Sequence, residues 1–521
     1  MRKWVFTAIG ISLSLALGYL FFIKFESYIG FNLYRVKKPK RNNMAQQPNI
    51  LFLLTDQQRF DSLGCNGAPV CRTPAVDEIA ATGMRFTNAY TPIALCSPAR
   101  GSLLTGLYPH NHGQLSNMGN FNGVFANQIL DKPAYPKLLS AAGYQVSCIG
   151  KWHLAKQGDT EFWGYDKWHP YNEWHQWLRE DGIDFRIDRD AVQPFEWGGE
   201  APFYGRLPLP VERTMEAWTA DKTIELINNY TDSEQPFMIA ANFFGPHFPY
   251  AVPAPYDTMY DPDTVERWGN FDEQFINKPL IQQKEMLRWN ASHLTWHDWQ
   301  KVIAAYWGFC TFIDDQVRRI LDCLEANGLA ENTVVIFSTD HGDMLGSHRL
   351  FNKGFHMYEE THHIPLVIRW PGGTPQGTTC DEFVNLVDLM PTFLELGGAA
   401  MPDNLDGRSI VPLLQREDVE DWPDDVFAEF HGYEPTLASV RMVRTDSWKY
   451  VYNPYSEDEL YDMKSDPHEL HNLANHLGYK HVLRRMKARM VDRLRETKDN
   501  IVMEGGWQSN SFDLLISGRE R

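Results

Sequence analysis

Four uncharged apolar runs of strand length punctuate the chain, at residues 48–54, 144–150, 236–244 and 333–338. They are too continuous for half-exposed strands and too short for core helices, which is the pattern of parallel strands covered on both faces. Each ends on a polar cluster: Asp56 to Arg59 after the first, Lys151 to His153 after the second, His247 after the third, and Asp340 with His341 after the fourth. A further strand is read at 365–370. Helical segments lie between: 74–83 with Pro74 in its first turn and Gly83 as its stop, 136–143, 216–230, and 299–328 ending at Asn327 and Gly328. Strands alternating with helices predict an α/β fold, a large, mostly parallel sheet flanked by helices. Open sheets of that kind hold their sites at the C-terminal ends of the strands.

The rhythm breaks twice. Residues 160–211 have no period and are rich in Trp163, Trp168, Trp174, Trp177 and Trp197. They read as a long insertion over the strand ends. Beyond 411 the segments shorten, with strands at 440–444, 448–452 and 459–461 and a basic amphipathic helix from Val482 to Leu494. A smaller C-terminal α+β subdomain with an antiparallel sheet is expected over 411–521, beside a large domain over 48–410. Residues 4–23 are uncharged and apolar over a length that spans a bilayer. The expectation is an N-terminal anchor and basic linker over 1–47. Arg2 and Lys3 precede the run, and Lys24, Arg35, Lys37, Lys38, Lys40 and Arg41 follow it. Counted literally, that balance favours a cytoplasmic domain.

Composition narrows the reading. A formal charge of -18 argues against nucleic acid as a partner, which selects basic surfaces. Seven cysteines in 521 residues are too few for a disulfide scaffold, and the odd count leaves at least one unpaired. Aromatic side chains at 13% suit either a sugar-stacking wall or a large core. Asn229 and Asn290 head glycosylation sequons.

The unpaired cysteine has a candidate. Thr91, Pro92 and Pro98 make a loop that delivers Cys96 to the start of a short helix, with Arg100 one turn on. A thiol there sits in a positive field that lowers its pKa and attracts anions. A lone cysteine in a turn is more often a packing residue. The residues around this one decide otherwise. Cys96, Pro98 and Arg100, continuing into Leu103, Leu104, Thr105 and Gly106, resemble the signature of the formylglycine-dependent sulfatases of the alkaline phosphatase superfamily. Residues 143–153 are similar to that family's second motif, with Val146 where Ser or Thr is usual. Residues 460–473 resemble its C-terminal subdomain. The histidines of the 108–113 stretch, which also recurs in the family, are read as structural.

The resemblance implies a sulfatase acting on a sulfated carbohydrate or a small sulfate ester. Cys96 would be oxidised to formylglycine by a separate maturation enzyme, and its aldehyde hydrate would be the nucleophile. One divalent metal ion is implied, calcium first and magnesium or manganese as alternatives, on Asp56, Gln57, Asp340 and His341. Oxygen-rich ligation suits a hard cation. Gln57 stands where many relatives have a second Asp, and some phosphonate monoester and phosphodiester hydrolases of the superfamily share that Gln. Arg100 would orient position 96, Lys151 and Lys353 would hold sulfate oxygens, His247 would serve the leaving alcohol, and His153 would accept a proton when sulfate departs. Relatives with such an N-terminus are usually exported, which implies an anchored enzyme with its catalytic domain outside the cytoplasm. The rivals are a phosphonate monoester or phosphodiester hydrolase with the same aldehyde, and a silent, membrane-anchored glycan-binding protein.

Overall fold

Along the first apolar run, Ile50, Phe52 and Leu54 point to one face of a sheet and Leu51 and Leu53 to the other, none more than 1% exposed. Both faces are covered, so the run carries no polar alternation. In the computed structural model the described residues are 36–37, 47–118, 128–154, 160–183, 194–195, 201–433, 436–454 and 456–503. The run is β1, Asn49–Thr55, near the middle of an eight-stranded sheet. The others are β2, Met84–Tyr90; β3, Gln145–Gly150; β4, Lys167–Pro170; β5, Phe237–Asn242; β6, Thr333–Thr339; β7, Leu366–Arg369; and β8, Thr378–Asn385. Their order is β8-β2-β7-β6-β1-β5-β3-β4, parallel throughout except for β7, which runs against both β6 and β2.

Helices Pro74–Ala81, Met215–Tyr230 and Trp296–Ala326 cover one face, where Ile79, Leu226, Ile227, Phe312 and Ile313 meet Leu51 and Leu53. On the other, Leu139 and the helix Leu389–Leu396 pack on Ile50 and Phe52, with Phe393 against the Phe52 ring at 5.3 Å. The long helix begins in a capping box between Thr295 and Asp298, a device worth about 1 kcal/mol. Farther along it, the Asp314 carboxylate accepts from the amides of Ala75 and Val76 at 2.8 and 2.9 Å, capping a helix whose own Thr73 makes no cap bond.

The 160–211 stretch differs from the expected insertion. Residues 167–170 form β4, the edge of the main sheet, and Tyr171–Glu180 is a helix. Trp163 and Trp174 are buried, and Trp174 donates its indole N–H to the Arg213 carbonyl at 3.0 Å. Trp168 and Trp177 pack half-buried against the two cores. At these four positions core packing replaces the sugar wall. Trp197 lies outside the described residues, as does the apolar run 4–23. No helix among the described residues is long and apolar enough to cross a membrane.

A second, antiparallel sheet follows: β9, Asp425–Tyr433; β10, Thr436–Thr445; β11, Trp448–Tyr452; and β12, Glu459–Asp462, in that spatial order. Met486, Met490 and Leu494 of the helix Lys480–Glu496 cover it, meeting Val443, Tyr450 and Leu460. All of β9 is buried. Its Glu429 amide donates to the Pro92 carbonyl at 2.8 Å, so the small sheet rests on the loop leading to Cys96.

Glu429 also builds a buried ion cluster. His110 donates Nδ1–H to Glu429 Oε2 at 2.7 Å and Nε2–H to the Thr497 carbonyl at 3.0 Å. Both partners are acceptors, so the ring carries two protons and a positive charge. Arg441 adds a second cation through its 2.6 Å bond to Asp499, and His431 flanks Glu429. Burial opposes the charge on His110, but Glu429 and Asp499 overcome it and raise the ring to about 9. His112 differs: burial pushes it down to about 3, and its Nδ1 accepts from the Gln114 amide. The folded pKa of His110 lies above the ordinary histidine value. Its stabilisation is therefore complete below about pH 6.5 and lost as pH rises through about 9. His110→Gln is expected to lower unfolding free energy near pH 6 by about 3 kcal/mol, the cost of breaking a buried pair. In denaturant titrations across pH, the deficit from wild type should shrink above pH 9; a constant deficit would refute the charged ring.

Candidate active site

Strand register does the first part of the assembly. Thr339 of β6 pairs with Thr55 of β1, Leu54 of β1 with Asn242 of β5, and Asn242 with Gly150 of β3. Four parallel strands therefore end level, and Asp340, Asp56, the 243–247 turn and Lys151 emerge in a row. Gly150 is required at its place, with φ +86° and the site of a Cβ only 2.1 Å from the Asn242 carbonyl.

The helix Cys96–Thr105 arrives across these ends, with all ten residues buried. Leu95 offers no side-chain cap, and Asn117 supplies one by accepting from the Ser97 amide at 2.9 Å. One turn in, Arg100 ties the helix to the strands. Its Nε donates to Asp340 Oδ2 at 2.8 Å, one terminal nitrogen to Asp56 Oδ2 at 3.0 Å, and the other to the Lys151 carbonyl at 2.8 Å. Lys151 Nζ also reaches Asp56 Oδ2, at 2.7 Å.

The outer oxygens of both carboxylates are thus taken by cations, and the inner ones face a common centre. Cys96 Sγ lies 3.7 Å from Asp56 Oδ1 and 3.2 Å from His341 Nε2, and His341 Nε2 lies 3.7 Å from Asp340 Oδ1. The ligand atoms of Asp56, Cys96, Asp340 and His341 all fall within 4.8 Å of one another. His341 Nδ1 donates to the Gly342 carbonyl at 2.9 Å, which aims Nε2 at the centre. Burial raises Asp340 to about 7, with Asp56 adding to the rise and Arg100 and His341 opposing it. Burial acts on Asp56 too, but the charges of Lys151, Arg100 and Lys353 outweigh it and hold that carboxyl well below its usual range. Crowded buried carboxylates beside a directed imidazole fit a divalent cation, whose charge would hold both acids ionised.

Burial and Asp56 push the Cys96 thiol up, yet Lys151, Lys353 and His341 prevail and hold it well below the ordinary thiol value. These side chains, not the helix end alone, make the positive field. His247 Nε2 stands 4.0 Å from Asp56 Oδ1, and Nδ1–H donates to the Phe248 carbonyl at 2.6 Å. Burial, then Lys353 and Lys151, bring its pKa down to about 4, so the free ring is neutral.

Gln57 and His153 make further contacts around the centre. Gln57, at φ +68°, offers its Oε1 to Lys353 Nζ at 2.7 Å and its Nε2 to Asp343 Oδ2 at 2.6 Å, so its amide oxygen is engaged by the lysine. His153, at φ +55°, enters by its carbonyl, which accepts from Ser97 Oγ at 2.6 Å; its Nδ1 is buried without a partner. Asp56, Cys96, Arg100, Lys151, His247, Asp340, His341 and Lys353 lie together at the strand ends. Asp343, Ser97 and Asn117 escaped notice. Asp343 lies two residues past His341 in the same turn, and that proximity was the available signal.

The Sulfatase family profile matches residues 48–399, and the profile described as N-sulphoglucosamine sulphohydrolase, C-terminal, matches 346–496. Among curated relatives, the N-acetylglucosamine-6-O-sulfatase of Bacteroides thetaiotaomicron is 29% identical over 519 residues, covering 88% of this chain and 88% of its own. The arylsulfatase of Clostridium perfringens is 29% identical over 83% of this chain and 92% of its own. The crystal structure of the phosphonate monoester hydrolase of Agrobacterium radiobacter superposes with a TM-score of 0.74 at 27% identity, over 86% of this chain and 96% of that one.

The carboxylate geometry gives a direct expectation. Saturating calcium should raise the melting temperature of the wild-type protein, by the equivalent of about 2.7 kcal/mol at a hundred times Kd. In Asp340→Asn the shift should vanish, and a full shift in that variant would remove Asp340 from the cation set.

Proposed function

This chain belongs to the sulfatase family of the alkaline phosphatase superfamily and is a sulfuric ester hydrolase; we propose that its substrate is a sulfated carbohydrate. The observation that carries the reading is the gathering of Cys96 with Asp56, Asp340 and His341 at the strand ends. The N-acetylglucosamine-6-O-sulfatase relative supports the sugar. In this reading a maturation enzyme converts Cys96 to formylglycine, whose hydrate supplies the attacking oxygen. A divalent cation, calcium first, bound by Asp56, Asp340, His341 and Gln57, supplies Lewis-acid polarisation.

The remaining work falls to side chains. Lys151 and Lys353 bind the equatorial oxygens of the sulfuryl group, where negative charge accumulates. Arg100 keeps Asp56 and Asp340 turned with their inner oxygens to the centre. His247 is neutral in the free site and takes up a proton as the anionic group offsets Lys353 and Lys151; Nε2 then delivers it to the leaving oxygen. His153 Nδ1, without another partner, receives a proton as sulfate is released. The proposal includes anchoring through residues 4–23 with the catalytic domain outside the cytoplasm.

A second reading, phosphonate monoester hydrolysis at the same centre, is favoured by Gln57 and by the Agrobacterium radiobacter neighbour. The mass of the peptide containing residue 96, from protein made in its own host, tests the chemistry: relative to cysteine it should have lost one sulfur and two hydrogens and gained one oxygen. Cys96→Ala should lower kcat/KM by at least ~10⁴-fold, the scale on which a nucleophile is lost. An active preparation with an unmodified thiol would overturn the aldehyde mechanism. A kcat/KM higher for phosphonate monoesters than for aryl and sugar sulfates would select the second reading.

A further inference from the structure

Behind the centre lies a buried hydrogen-bond chain to which neither motif nor family role has been attached. Asp343 is wholly buried and accepts from three donors: Tyr250 Oη and Gln57 Nε2 at Oδ2, at 2.5 and 2.6 Å, and the Leu345 amide at Oδ1, at 3.0 Å. On the far side of the same amide, Lys353 Nζ donates to Gln57 Oε1 at 2.7 Å. The Gln57 main chain is held as well. Its amide donates to Asp340 Oδ1 at 3.2 Å and its carbonyl accepts from Tyr306 Oη at 3.1 Å. A non-glycine residue at φ +68° costs of order 1 kcal/mol, and these contacts hold it there.

An ionised carboxylate only accepts and an ammonium only donates, so these two partners leave one orientation for the amide. From these contacts we infer that Asp343 is a positioning residue that turns the Gln57 amide oxygen, and not its NH2, towards Lys353 and the cation ligands. The inference rests on the proposed cation set. An NH2 group in that place would present a partial positive charge to the ion. The same geometry accounts for the amide at position 57: an acid there would set its carboxylate against that of Asp343, with like charges buried at hydrogen-bond distance. Gln57 and Asp343 thus act as a pair, an amide that needs orienting and the carboxylate that orients it.

The test is calcium titration calorimetry on the full chain, with turnover measured in parallel. Asp343→Asn offers both a donor and an acceptor and releases the amide to flip. Calcium should bind about tenfold more weakly, equivalent to about 1.4 kcal/mol. The kcat should fall while KM stays within about twofold. Adding Gln57→Glu to Asp343→Asn should restore calcium affinity, because a carboxylate presents oxygen whichever way it turns and accepts from the new amide. Structural damage alone would not be repaired by a change at position 57. Wild-type affinity in Asp343→Asn, or lost affinity that Gln57→Glu fails to restore, would overturn the inference. Should Asp343→Asn not fold, Gln57→Glu alone serves: facing Asp343, the added acid should weaken calcium binding, and tighter binding would overturn the pairing. A wild-type chain that binds no calcium, magnesium or manganese would remove the cation reading first, and this inference with it.

Discussion

One guanidinium holds the centre together. Arg100 is rooted in a helix, and its planar fork contacts two carboxylates from two strands and a carbonyl from a third. A lysine, with a point charge on a flexible stem, could not meet three acceptors set in different directions. The contact also decides the carboxylate geometry. By taking Oδ2 of both Asp56 and Asp340, it leaves each Oδ1 turned inward towards Cys96 and His341. Buried charges are tolerated only when paired and hydrogen-bonded. Here the pairing is what aims the acids, so structure and chemistry share one set of contacts.

The support continues outward in layers. The helix carrying Cys96 is buried along its whole length, so its position is set by everything packed round it. Ser97 ties it to the His153 carbonyl and Asn117 caps it. Below it, the segment 108–118 rests on the small C-terminal sheet, through His110 on Glu429 and Ser116 Oγ on the Gly432 carbonyl at 3.2 Å. The small sheet is therefore part of what fixes the loop leading to Cys96, since the Glu429 amide also holds Pro92. A site built on helices and strand ends, with each side chain held by a second, is suited to sub-ångström placement.

The central strands were legible because burial on both faces makes a run of pure hydrophobes, and their polar ends marked the site in advance. The outer strands were not. Along β2, Arg85, Thr87 and Asn88 dilute the pattern, and β8 carries Asp381 and Glu382 on an edge where one flank meets water. Residues 160–180 hid an edge strand and a helix because aromatics that pack a core look, in sequence, like aromatics that stack on sugars. Trp163 and Trp174 went inside. The clustering of Asp56, Cys96, Asp340 and His341 was reached through motifs, but the orienting role of Asp343 was not, because hydrogen-bond direction depends on coordinates and leaves no periodic trace.

Net charge was the least informative property of all. A chain of formal charge -18 gathers at its centre two carboxylates and three fixed cations, Arg100, Lys151 and Lys353, before any metal is considered. The surface repels an anionic ester from afar, but screening confines that repulsion to about 8 Å at physiological salt. Inside the site, low-dielectric walls magnify the local cationic excess. In the proposed mechanism, attraction of the sulfate group is thus a short-range property of a few buried side chains. It follows that affinity for the anion should depend far more on Lys151 and Lys353 than on any change to the acidic exterior.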